Sequence, residues 1–139
     1  MPQSFHLAPV GKVRKSGEKI WIEIFDDFRD GLLVIDDFSH IYVLYWLHEN
    51  DTPEKRQTLQ VHPRGDQNNP LTGVFATHSP IRPNLIALTL CKITGISANR
   101  IEIEDIDAID GSPVIDIKCY IPDSVRGVRM PDWVDKKPT

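Results

Sequence analysis

Seven or so short apolar runs, each closed off by turn-forming residues, constrain this chain more than any other feature it has. The clearest is Lys19-Ile-Trp-Ile-Glu-Ile24, rich in the β-branched and aromatic residues that suit a pleated surface. Residues 7–13 precede it across the turn signal Ser16-Gly17. Residues 42–47 are apolar at consecutive positions, which predicts a strand covered on both faces. Residues 59–62 read as a brief strand, and residues 86–93, 100–104 and 114–120 as longer ones. A helical turn is expected over residues 28–34, capped by Asp27 and interrupted at Asp30-Gly31. Residues 50–57 are polar, contain Pro53 and read as a loop; residues 65–72 read as a mobile, turn-rich one. Strands without helices between them predict a mainly β fold, a compact antiparallel β-barrel with short helical segments, rather than βαβ units. No Gly-rich loop follows a strand and opens a helix, so no Rossmann sheet is expected. The barrel is expected over residues 1–122, and a polar tail, docked through Trp133, over residues 123–139.

A chain of 139 residues fits one domain with a real core. No apolar run is long enough to span a bilayer, and the first residues lack a secretory pattern, so a cytoplasmic protein is expected. Cys91 and Cys119 sit inside predicted strands and read as small buried hydrophobes; no spacing points to a metal site. The net charge of −4 argues against broad nucleic-acid affinity, which needs a basic face. Local positive groups are still present: Arg64, Arg82, Lys118, Arg126, Arg129, Lys136 and Lys137. The acids gather elsewhere, at residues 26–37 and 102–110.

Gly73-Val-Phe-Ala-Thr-His-Ser-Pro-Ile-Arg-Pro-Asn84 packs rigid, small and polar residues together. Pro80 and Pro83 bracket Arg82, so its guanidinium is expected to leave a stiff loop. This segment resembles the G-V-F-A-T-R-S-P-x-R-P-N-P-I-G motif of the TrmO/TsaA-like family. Asp37-Phe-Ser-His-Ile-Tyr-Val-Leu44 is similar to that family's G-F-S-H-I-W-V-L, and Asp107-Ala-Ile-Asp-Gly-Ser-Pro-Val-Ile-Asp-Ile-Lys-Cys-Tyr-Ile-Pro122 to its D-L-L-D-G-T-P-V-L-D-I-K-P-Y-I-P. Three blocks in the same order are far more specific than one short motif. The resemblance implies a single β-barrel, usually homodimeric, that binds S-adenosylmethionine (SAM). It also implies methylation of N6 of threonylcarbamoyladenosine beside the anticodon of tRNA. The chain resembles the short form of the family, without a further C-terminal domain.

Candidate residues follow. His48 and Glu49 end the long apolar strand and belong at a barrel rim; the matching family pair touches the cofactor. Glu104, Asp105, Ile106 and Asp107 follow another strand, and the matching family segment lies on SAM. Leu88 matches a position that packs against adenine, and His78 one that reaches the cofactor region. The ordinary alternative for each is a solvated strand end or an acidic turn. Arg64 and Arg82, with the neighbouring Asn84, are candidates for tRNA phosphate or the threonyl carboxylate, because Arg pairs such groups bidentately. Asp116 and Lys118 share a strand face and are expected to pair structurally or to meet substrate. His40 reads as a buried histidine bonded to backbone. Trp133, Tyr45 and Trp46 are candidates for base stacking, with core packing the ordinary alternative for the last two. No residue is singled out as catalytic.

The departures are specific. His78 replaces the family's arginine, and Ala87 its glycine. The Pro- and Gln-containing segment after the first strand is missing, because residues 13–18 run straight into the next strand. These changes leave two other readings open: a small-molecule acceptor, or a barrel that binds ligand without catalysis.

Overall fold

The structure, a computed structural model, describes residues 3–135; Lys136 and Lys137 lie outside them. Its strands are β1 (Gly11–Ser16), β2 (Lys19–Ile24), β3 (His40–Trp46), β4 (Gln60–Val61), β5 (Thr72–Gly73), β6 (Ile86–Ser97), β7 (Arg100–Ile103) and β8 (Pro113–Cys119). Six of them close an antiparallel barrel in the order β1-β2-β7-β6-β3-β8; β4 and β5 form a small separate pair. Closure removes every sheet edge that would otherwise expose unpaired backbone.

Local chemistry explains the geometry. Gly17 takes φ +60° in the two-residue β1–β2 turn, a conformation glycine adopts without steric cost. At Gly11 a side chain would collide with the Glu23 carbonyl, so only glycine lets β1 and β2 approach here. Inward residues alternate with outward ones. Val13, Ile22, Ile41, Val43, Ile101 and Val114 fill the barrel and are fully buried. These side chains pack together as one core cluster.

Several expectations need correction. The first strand begins at Gly11 rather than at residue 7. β3 is covered on one face only: Ile41, Val43 and Tyr45 are buried, while Tyr42, Leu44 and Trp46 on the outside are half-buried. The helical turn is a 3-10 segment, Asp26–Leu32, and Asp27 lies inside it without capping it. Its break comes at Val34, which holds φ +72°, and not at Gly31. Residues 50–57 are not all loop, because Pro53–Gln57 forms a short helix, α1. Thr52 caps it by accepting from the Lys55 amide, and Pro53 occupies the first turn, where no amide donor is needed. The turn-rich loop is tied down by buried Asn69, which donates to the Pro63 carbonyl, while its own carbonyl meets His62 Nδ1.

Candidate functional site

Antiparallel order brings the ends of β1, β3 and β7 to one rim of the barrel, with the starts of β2, β6 and β8. Here the long connection from β3 to β6 and the acidic loop after β7 enclose a cavity of about 470 Å³, a size typical of small-molecule sites. His48, Glu49, His78, Arg82, Leu88 and Asp107 all line it. The first two lie on a 3-10 turn, His48–Asn50, that follows β3 directly.

Three devices hold this rim. The acidic loop is fastened to β1: Lys15 Nζ donates to the Ile106 carbonyl at 2.8 Å and the Lys15 amide to Asp110 Oδ1 at 2.8 Å. Ile106 and Ala108 plug into the core, so Asp107 between them is turned to the cavity. The arginine loop is stiffened by hydroxyls as well as prolines. Thr77 Oγ1 accepts from the Ser79 amide and Ser79 Oγ from the Ile81 amide, each at 3.1 Å. Third, Arg56 of α1 clamps that loop. Its Nε donates to the Pro83 carbonyl at 2.8 Å, while its guanidinium carbon sits 5.6 Å from the Trp46 ring center.

Arg82 does not simply project from the loop as expected. Its Nη1 donates to the carbonyls of Thr77 and Ser79, both at 3.2 Å, and so braces the loop that carries it. It remains the one Lys or Arg among the cavity's lining residues. Glu49 and Asp107 supply the carboxylates, while Ile86, Ala87 and Leu88 give an apolar wall. This donor set fits SAM, the cofactor the family resemblance implies. An apolar wall suits an adenine ring, and carboxylates rather than lysines beside a sulfonium lower its desolvation cost.

The remaining candidates are elsewhere. Glu104 and Asp105 are exposed and do not line the cavity, and Ile106 is buried beneath the loop. Asn84 is exposed beyond the lining. Asp116 and Lys118 point outward from β8, opposite Leu44 and Tyr42 of β3. No ion pair joins the two among the described residues. Asp116 instead accepts from the Ile117 amide. His40 is half-buried and bonded through Nδ1 to Ser39 Oγ at 2.7 Å, not to backbone. Arg64 lies on a neighboring cavity, described below.

Sequence reasoning missed Thr89, Ser112 and Arg56, and took Tyr45 for a base-stacking or core residue. Tyr45 and Thr89 face inward at the cavity's floor. Burial of the phenol raises the Tyr45 pKa above 10.0, a hydrogen bond with Thr89 opposes this, and Asp107 adds to the rise. Tyr45 is therefore a protonated donor at neutral pH. Burial also pushes the Cys91 thiol up to about 11, with Asp105 contributing. Both cysteines are free thiols. Among the described residues no cluster of His, Cys, Asp and Glu could hold a metal ion.

Comparison with known proteins agrees with this construction. The family model of the tRNA-methyltransferase O N-terminal domain matches residues 4–124. A probable S-adenosyl-L-methionine-binding protein of Methanocaldococcus jannaschii is 48% identical over 116 residues, covering 84% of this chain and 92% of the relative. A mouse tRNA (adenine(37)-N6)-methyltransferase is 40% identical over 105 residues, 76% of this chain but only 24% of that protein. The crystal structure of TrmO from Pseudomonas aeruginosa superposes with a TM-score of 0.72 at 25% identity, covering 96% of this chain. The chain spans 63% of that structure's length. By the family model, the archaeal relative and the barrel together, the chain belongs to the TrmO N-terminal-domain family.

Proposed function

We propose that the chain is a SAM-dependent methyltransferase that modifies N6 of an adenosine in tRNA, with threonylcarbamoyladenosine beside the anticodon as its substrate. The observation that carries this is the rim cavity. It joins the apolar wall of Ile86, Ala87 and Leu88 to Glu49 and Asp107, in a chain whose relatives include SAM-binding proteins and tRNA adenine-N6 methyltransferases.

When bound, SAM would supply an electrophilic methyl group for the attacking nitrogen, the carbon–sulfur electron pair remaining on sulfur. The protein's work is placement. When SAM is bound, Leu88 would cover its adenine, and Asp107, on the loop that Lys15 fastens at Ile106 and Asp110, would stand beside its cation. His48 and Glu49 would meet it from the turn after β3. Tyr45 donates from the floor. Arg82, held by its own loop carbonyls, sets a fixed positive charge at the wall for the threonyl carboxylate. The substituted nitrogen sheds a proton, and Asp107 and His78, both on the cavity lining, are the acceptors we infer.

The protein works as a homodimer, through the outer face of β6 and β3. There Ile86, Leu88 and Leu90 are 40%, 58% and 45% exposed in a row, and the first two also line the cavity, so the partner would border the cofactor site. It is a cytoplasmic protein; among the described residues no helix is long and apolar enough to cross a membrane.

Isothermal titration with SAM, followed by transfer of label from methyl-labelled SAM to tRNA, tests the reading. Binding and label on tRNA are expected. No heat at millimolar SAM would overturn it, and binding without transfer to tRNA would overturn the acceptor.

A further inference from the structure

The chain carries a second cavity of about 680 Å³ immediately beside the first. His78, Ser79 and Pro80 line both, so this stretch of the arginine loop is the wall between them. The far side is built by the turn Pro63–Gly65 and by the tail. Two aromatic side chains dominate it. Phe75 is 82% exposed at the start of the arginine loop. The 3-10 turn Val74–Ala76 presents it, and Val74, only 1% exposed, anchors that turn in the protein. Trp133 comes from the last described turn, Asp132–Asp135.

The tail is brought there by a specific contact. Arg64 Nη2 donates to the Val134 carbonyl at 2.7 Å, across 70 residues of sequence. Arg64 holds φ +60°, a left-handed conformation uncommon for a residue other than glycine. A strained residue, a docked chain end and a phenyl ring in water all meet at one cavity. A large ring left exposed on a turn anchored in the protein is available to stack on a flat partner.

We propose that this second cavity receives a nucleobase next to the target in an RNA acceptor, stacked between Phe75 and Trp133, with Arg64 beside the flanking phosphate. The inference rests on the methyltransferase reading above and adds where the strand beside the target base sits. A base held here is one His78–Pro80 wall away from the cavity assigned to the methyl donor, so its neighbor in the strand enters that cavity and meets the donor directly. Stacking suits this task because every base offers a flat face and aromatic side chains cover it without ordering new backbone. It also accounts for RNA recognition by an acidic chain: affinity is concentrated in a few aromatic and cationic groups rather than in a basic surface.

The test uses the full chain and total tRNA at a fixed low salt concentration, with filter binding for tRNA and calorimetry for SAM. Phe75→Ala and Trp133→Ala are each expected to weaken tRNA binding about tenfold or more, while SAM affinity stays within twofold. Phe75→Tyr is expected to keep wild-type affinity, which separates stacking from a merely structural loss. Ultraviolet crosslinks should map to the peptides that carry Phe75 or Trp133. Unchanged tRNA affinity in both alanine variants, crosslinks confined to other peptides, or a wild-type chain that does not bind tRNA would each overturn the proposal. Failure of the cofactor reading is seen separately, in the wild-type SAM titration.

Discussion

The two halves of the barrel wall have the same interior and different exteriors. On β1, β2 and β7 the outward positions pair by charge: Lys12 faces Glu23, and Glu23 faces Arg100. Arg100 also lies over Trp21, 3.7 Å from its ring center, and pairs with Glu102 at 3.9 Å. On β6 and β3 the outward positions are Ile86, Leu88 and Leu90 against Trp46, Leu44 and Tyr42. Both halves bury isoleucine and valine on the inside. Folding therefore needs the inner pattern alone, and the outer pattern is free to record what each half meets. One half meets water. The other is the half that bears the cavity wall.

Three experiments test this contrast. The largest effect should come from the shared interior. Ile22→Ala on the charged half and Ile41→Ala on the apolar half each empty a fully buried site, and each is expected to cost about 2–5 kcal/mol in denaturant unfolding. Equal losses would place the difference between halves wholly on the outside; a much smaller loss at one site would show an uneven core. Next, Leu90→Asp puts a charge in the apolar row without touching the cavity lining, unlike Leu88. Sedimentation equilibrium is expected to show self-association weakened by a hundredfold or more, about 2.7 kcal/mol. The matched change Glu23→Ala should leave association untouched, and a wild-type chain that is monomeric throughout would break the comparison. Smallest is Arg100→Ala, which removes a cation over a ring and an exposed pair. A loss of about 1 kcal/mol or less is expected, shrinking as salt is added; a larger, salt-insensitive loss would make the charged half structural after all.

The barrel was legible from the sequence because its turns carry local chemistry. Ser16-Gly17 marks a hairpin, and β-branched runs mark the strands around it. The cavity was legible only in part. His48, Glu49 and Asp107 stand at strand ends, and strand ends gather at a rim whatever the details. Arg56 had no such signal, since its partner Pro83 is 27 residues away and only the folded chain brings them together. The α1 helix was missed although Thr52-Pro53 is a good start signal, because five residues give too little periodicity to outweigh a proline. β3 misled for a different reason. An unbroken apolar run suits a doubly covered strand, and here the outer positions Tyr42, Leu44 and Trp46 are only half-buried.

The course of the chain after β8 has a practical result. β8 leaves the barrel at the end away from the cavities, where the Tyr120 amide donates to the His40 carbonyl. The backbone then climbs the outside until Val134 is caught by Arg64 at the rim. Val134 thus stands next to the second cavity. On the RNA-acceptor proposal, a bulky group joined directly after the turn Asp132–Asp135 is expected to weaken tRNA binding, and its removal through a cleavable linker to restore it.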